Sequence, residues 1–124
     1  MTTLFNLIWA VPIILILLIL LYLYPVLEFD GTSMYPTFHD GDKVRCSRVF
    51  SRKNLKVGKV YVYYREDEGK RYLVVKRLSN ICCDHKGEIC CYFLGDNRNV
   101  SLDSRHYGWI NSKNIVAIVT TERR

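Results

Sequence analysis

Leu7 to Leu27 is a run of 21 residues without a charge, built mostly of Ile and Leu. At about 1.5 Å rise per residue, a helix of that length crosses a hydrocarbon core of ~30 Å. Trp9 stands near one end, and Tyr22 and Tyr24 near the other, where an aromatic belt belongs. Pro12 falls in the first third of the run, and Pro25 is where a helix is expected to stop. A cleaved leader would want a basic start, a shorter apolar core and small residues at the cut. Met1-Thr2-Thr3 carries no basic side chain, and Tyr22-Leu23-Tyr24 is bulky. The run therefore reads as a retained single-pass anchor, residues 1–28, ahead of one domain of modest core, residues 29–124. No Lys or Arg precedes Lys43, so charge does not set the orientation.

The net charge of +6 is scattered over strand-like segments rather than gathered in one run. No Gly-rich phosphate loop and no paired-histidine finger spacing accompanies it, so a nucleic-acid partner is not expected. Beyond Phe29 the pattern turns to β. Asp40-Gly41 and Val57-Gly58 mark turns, and Asp42–Cys46 alternates at period two. Val60–Tyr64, Arg71–Leu78 and Ile115–Thr121 are rich in β-branched and aromatic residues. Ile81–Cys83 and Glu88–Leu94 flank Asp84-His85-Lys86-Gly87 as a hairpin. No later segment holds a helical period, so the expected fold is mostly β: one transmembrane helix, then a compact folded sheet or small barrel.

Three stretches carry candidate chemistry. Gly31-Thr32-Ser33-Met34-Tyr35-Pro36-Thr37 sets a serine between a permissive glycine and a rigid proline. Such a turn can aim a nucleophile, and it can equally be an ordinary turn. Lys76 follows Tyr72-Leu73-Val74-Val75 in an apolar strand. Burial would depress its pKa and leave a neutral amine able to act as a base. An edge strand would instead turn it to solvent. Gly95 to Arg105 is dense in short polar residues that hydrogen-bond their own backbone. Asp103 and Arg105 could stiffen it as a pair, and Ser101 could reach a neighbouring amine.

Together these stretches resemble the boxes of type I signal peptidases. The resemblance rests on Gly-x-Ser-Met-x-Pro-Thr from Gly31, Gly-Asp-x-Val from Gly41, Lys76-Arg77 after an apolar strand, and Gly-Asp-Asn-Arg-x-x-Ser-x-Asp-Ser-Arg from Gly95. They stand in the family's order behind its anchor. The resemblance implies a membrane-bound serine endopeptidase with Ser33 as nucleophile and Lys76 as general base. It implies that Ser101 orients the lysine amine and that Asp103 and Arg105 form a supporting ion pair. It also implies preprotein signal peptides as substrates, bound extended and cut after small residues of Ala-x-Ala type, with no cofactor and no metal. The catalytic domain would face the extracytoplasmic side of a plasma membrane or of an organellar inner membrane. Met34 and Val75, beside the two reacting residues, are candidate pocket walls, with ordinary core as the alternative.

The chain departs from the family pattern in places. Gly31 stands where many members carry a Ser or Thr oxyanion donor, and Val74 where a Tyr is common. Only seventeen residues separate Arg77 from Gly95, so the large insertion of many bacterial members is missing. Four of the five cysteines fill that connection. With a two-residue loop at Lys86-Gly87, Cys83 would face Cys90 and Cys82 would face Cys91. One or two cross-strand disulfides, free thiols, or a zinc held by all four remain open, adjacent ligands fitting zinc poorly. Cys46 is left over, and His39, His85 and His106 read as surface groups, with His106 beside the Ser101 loop. Apolar residues near Phe29 and Phe38 are candidates for contact with lipid. The alternatives to a general signal peptidase are a maturation protease of the same clan with one substrate, and an inactive membrane-anchored peptide-binding module.

Overall fold

The structure, a computed structural model, describes residues 2–121. The apolar run folds as α1, Thr2–Leu23, with Pro12 inside it and no residue buried. A helix apolar on every side offers no polar face to water. This one is long and apolar enough to cross a membrane. It stops before the run does. Pro25 has no N–H to continue the ladder, and Val26–Glu28 already forms strand β1. The last residues expected in the anchor thus join the sheet.

Arg48 closes the end of α1. Its amide donates to the Leu23 carbonyl at 2.7 Å and its Nε to the Tyr22 carbonyl at 2.8 Å. Its guanidinium also lies 4.5 Å from the centre of the Tyr22 ring. These are carbonyls that a helix end leaves without partners, and a cation there suits the helix dipole.

The remaining strands are β2 (Lys43–Ser47), β3 (Val60–Asp67), β4 (Lys70–Cys83), β5 (Ile89–Leu94), β6 (Ile110–Asn111) and β7 (Ile115–Val119). They form one sheet in the order β1-β2-β7-β3-β4-β5-β6, every neighbouring pair antiparallel. The fold is mostly β, as expected. β1 and β6 are too short to read from the sequence. A four-residue helix, α2 (Ser104–Tyr107), lies between β5 and β6.

β3 sits in the middle of the order, and its Val-Tyr-Val-Tyr run is buried on both faces. Val60 and Val62 pack with Val44, Phe29 and Phe38 in one cluster. Tyr61 and Tyr63 pack with Leu78 and Phe93 in the other. Period-two alternation sends successive residues to opposite faces, so a central strand covered on both sides reads as a continuous apolar run. Phe29 and Phe38 stack at 4.9 Å inside the first cluster, so they do not face lipid.

Both hairpins follow from turn chemistry. Asp67 pairs with Lys70 across Glu68 and Gly69, both at positive φ, the two-residue turn whose twist matches the flanking strands. The β4–β5 turn is longer than expected. Asp84 Oδ1 accepts from the Lys86 and Glu88 amides at 2.9 Å each, and the Asp84 amide donates to the Glu88 carbonyl. That slips the register by one residue: Cys82 opposes Cys90, Cys83 opposes Ile89 and Ile81 opposes Cys91. The expected pairs Cys83–Cys90 and Cys82–Cys91 do not form, and Cys46, Cys82, Cys83, Cys90 and Cys91 are free thiols. Among the described residues no group of three or more His, Cys, Asp or Glu is placed to hold a metal ion, the four clustered cysteines included.

Candidate active site

Gly31 adopts φ +90°, and its amide donates to Asp40 Oδ1 at 2.8 Å. The chain then winds through a tight turn, with the Tyr35 amide on the Thr32 carbonyl and the Phe38 amide on the Met34 carbonyl. The turn sends Met34 and Phe38 into the core and leaves Ser33 half-buried at its edge. Met34 is therefore core and does not line the cavity beside Ser33. Its Sδ accepts the Asp96 amide at 3.4 Å.

Lys76 lies in β4 opposite Tyr61 and is only 6% exposed. It points inward with Leu78 rather than to solvent. Its Nζ donates to Ser33 Oγ at 2.7 Å. Burial pushes the Lys76 ammonium below its ordinary pKa, while the charge of Asp103 pulls it the other way. The strand thus supplies the two things that a lysine base needs, desolvation and a hydroxyl within reach.

The Gly95–Arg105 stretch is docked onto the serine turn. The Asn97 amide donates to the Ser33 carbonyl at 2.9 Å, and Asn97 Nδ2 donates to the Thr32 carbonyl at 3.1 Å. Asp96 joins three stretches through one carboxylate. Arg77 grips it in bidentate fashion, Nε to Oδ1 at 2.9 Å and Nη2 to Oδ2 at 2.8 Å, and Thr37 Oγ1 donates to Oδ2. Burial alone would raise the Asp96 carboxyl, yet the bonds from Arg77 and Thr37 hold it below its usual range. Asp96, Arg77, Thr37 and Asn97 were visible only as motif positions, because no pattern in the sequence says which side chains meet.

Asp103 is fully buried. It accepts from Arg105 Nε at 2.9 Å, from the Gly95 amide at 2.9 Å and from the Arg105 amide at 3.2 Å. Burial raises its carboxyl, and the Arg105 guanidinium and the two amides more than offset that, leaving it at about 2. Asp103 also caps α2, with its own amide donating to His106 Nδ1 at 3.2 Å. The ion pair between Asp103 and Arg105 is formed as the resemblance implies. The implied bond from Ser101 to Lys76 is not: the buried Ser101 hydroxyl lies instead beside the Asp103 carboxylate, which it helps to hold low.

A cavity of about 270 Å³ opens over this centre, lined by Ser33, Lys76, Val75, Leu73, Leu27 and Phe29 among others. Val75 is thus a wall. Two strand edges flank it. Among the described residues β1 pairs only with β2, and β4 from Lys70 to Lys76 pairs only with β3, since β5 joins from Arg77 onward. Such edges are open to an added strand.

Replacing Asp96 with Ala is expected to cost roughly 1–3 kcal/mol of stability, because it strips charge-assisted bonds from Arg77 and Thr37. Denaturant unfolding reads the loss as a lower midpoint at unchanged slope.

No curated protein matches the chain. The model of the family described as signal peptidase, peptidase S26, matches residues 86–122. The match takes in Gly95–Arg105, with Ser101, Asp103 and Arg105, and begins after Ser33 and Lys76, which lie outside it; over that span the chain is similar to the signal peptidases.

Proposed function

We propose that the chain is a membrane-anchored serine endopeptidase that removes signal peptides from exported preproteins. The observation that carries this reading is the buried Lys76 amine 2.7 Å from Ser33 Oγ, at the floor of a cavity between two open strand edges. The sheet from β1 to β7 forms its catalytic domain, on the extracytoplasmic face of the membrane that α1 crosses.

An extended preprotein segment adds a strand between β1 and β4, laying its scissile carbonyl over Ser33. Neutral Lys76 takes the Ser33 proton as Oγ bonds to that carbonyl carbon. The Ser33 amide is the oxyanion donor we assign, and one such donor is worth ~2.7–4 kcal/mol. Lys76 then gives the proton to the departing amine as the C–N bond breaks. Ser33 is now an ester and no longer offers a hydroxyl, and the buried Ser101 Oγ is the group we assign to hold the amine in its place. Lys76 next deprotonates the water that attacks the ester carbonyl, and returns that proton to Ser33 Oγ as the Oγ–C bond breaks and the acyl group leaves as the acid. The Asp103–Arg105 pair keeps the loop that carries Ser101 in place. Val75 and Leu73 narrow the cavity and favour small side chains beside the cut.

The test is incubation of the full chain in detergent with a preprotein bearing an Ala-x-Ala site, the product's new N-terminus being read by mass spectrometry. A cut after the second alanine that fails when both alanines become Phe supports the reading. A folded chain that binds the preprotein and never cuts it contradicts it.

A pH dependence follows from the lysine. kcat/KM is expected to rise with pH along a limb whose midpoint lies below the ~10.4 of a free lysine. Between its depressed folded pKa and that value the unfolded chain binds more protons than the folded one. Stability contributed by Lys76 therefore also rises with pH across that window. An activity limb that tracks histidine, near ~6.5, and vanishes when His39, His85 and His106 become Gln would overturn the assignment.

A further inference from the structure

We propose that the loop between β2 and β3, residues 48–59, is a docking site for anionic phospholipid headgroups that seats the sheet on the membrane. The proposal rests on the reading of α1 as a membrane span, and not on the peptidase chemistry.

The loop carries Arg48, Arg52, Lys53, Lys56 and Lys59 and no acidic residue. All five cations are exposed, as are Val49 and Val57, each 60%. Cations interleaved with exposed apolar side chains match the two layers of a bilayer interface, headgroup charge and acyl boundary.

The loop is also where the membrane must be. Arg48 binds the last carbonyls of α1, and the Pro25 carbonyl accepts the Cys46 amide at 2.9 Å. Ser47 and Tyr61 both oppose Ile118 of β7. The loop therefore leaves and re-enters the sheet at the same end, the end at which α1 arrives. Its shape is held from within: Arg52 Nη2 donates to the Ile115 carbonyl at 2.7 Å, and the Lys56 amide donates to the Tyr61 hydroxyl at 3.0 Å.

Beneath the loop lies a cavity of about 430 Å³, lined by Phe50, Asn54, Lys56, Lys59, Tyr61 and Ile118 among others. Two ammonium groups and an amide can meet a phosphate, and the aromatic and aliphatic walls can meet its glycerol end. A free phosphate shares the first half of that chemistry. The exposed valines and the adjoining helix end favour the lipid.

The experiment uses the full chain in lipid-bilayer discs, made of phosphatidylcholine alone or with about a third phosphatidylglycerol. A brief pulse of an amine-reactive reagent is read by mass spectrometry at Lys53, Lys56 and Lys59. Lys70, the exposed first residue of β4 at the opposite end of the β3–β4 hairpin, is the internal reference. Labelling of the three loop lysines is expected to slow by about fivefold or more in the anionic discs, and to recover in high salt. Changing Lys56 and Lys59 to Gln is expected to restore labelling of Lys53 while preprotein cleavage in detergent persists.

Equal labelling in both discs overturns the proposal. So does equal protection in neutral discs by inorganic phosphate, which marks a free-phosphate site, or by a single-stranded oligonucleotide. A chain that does not enter neutral discs overturns the anchor and the docking site together. A chain that enters them and cleaves preprotein, yet labels equally, overturns the docking site alone.

Discussion

Changing Lys76 to Ala is expected to lower kcat/KM for preprotein cleavage by at least ~10⁴-fold and to leave the fold in place. Ser33 Oγ has Lys76 Nζ at 2.7 Å, and among the described residues no histidine hydrogen-bonds to it. Without that amine the hydroxyl has nothing to take its proton near working pH. The fold survives because the lysine is a burden to it. A buried ammonium is costly, and Ala removes that cost along with some packing. A melting temperature within a few degrees of the parent, about what ~1 kcal/mol produces, accompanies the loss. Lys76→Arg is the sharper variant. It keeps the positive charge and the reach, yet a guanidinium is not deprotonated in a protein. It is expected to be as inactive as Ala, and substantial activity in it would remove lysine from the role of base.

The second large effect is expected at Gly95, a position without chemistry of its own. A Cβ there would stand 2.0 Å from Ser101 Oγ, 2.4 Å from Ser101 Cβ and 2.8 Å from the Ser33 carbonyl oxygen. The last is backbone and cannot swing aside. Gly95→Ala must push the serine turn from the Asn97 amide that holds it, or push the Ser101 loop from Asp103. Overpacking of this kind costs ~1–3 kcal/mol. The effect on rate is larger, because a displacement of ~1 Å at reacting atoms can cost ~10²-fold. Gly95→Ala is thus expected to fold, to melt lower and to lose most of its activity through kcat. A variant that loses stability alone would mean that the Gly95 contact does not position Ser33.

What the sequence discloses here follows the physics of each signal. The anchor is legible because an uncharged run of that length has few other uses. β3 is legible because a buried central strand is apolar and β-branched, and β4 because its Tyr-Leu-Val-Val run has the same composition although it lies at an open edge. The Asp84–Glu88 turn is not, since its length is set by a carboxylate bonding two amides, and one residue there decides which cysteines face each other. β1 and β6 are short edge pieces made by their partners. The candidate site was legible in its residue types and illegible in its wiring. The structure brings Ser33 to Lys76 and Asp103 to Arg105. The Asp96 carboxylate that ties Arg77 to Thr37, the burial of Met34 and the burial of Ser101 depend on chain crossings that no local pattern records.

The most direct measurement is cleavage of one Ala-x-Ala preprotein by the parent chain and by Ser33→Ala, purified alike and compared over the same hours. The account predicts a product cut after the second alanine from the parent and none from the variant, which still unfolds cooperatively at the parent's midpoint. Cleavage by Ser33→Ala at the parent's rate would mean that the serine turn is a turn and nothing more, and that the cut belongs to another residue.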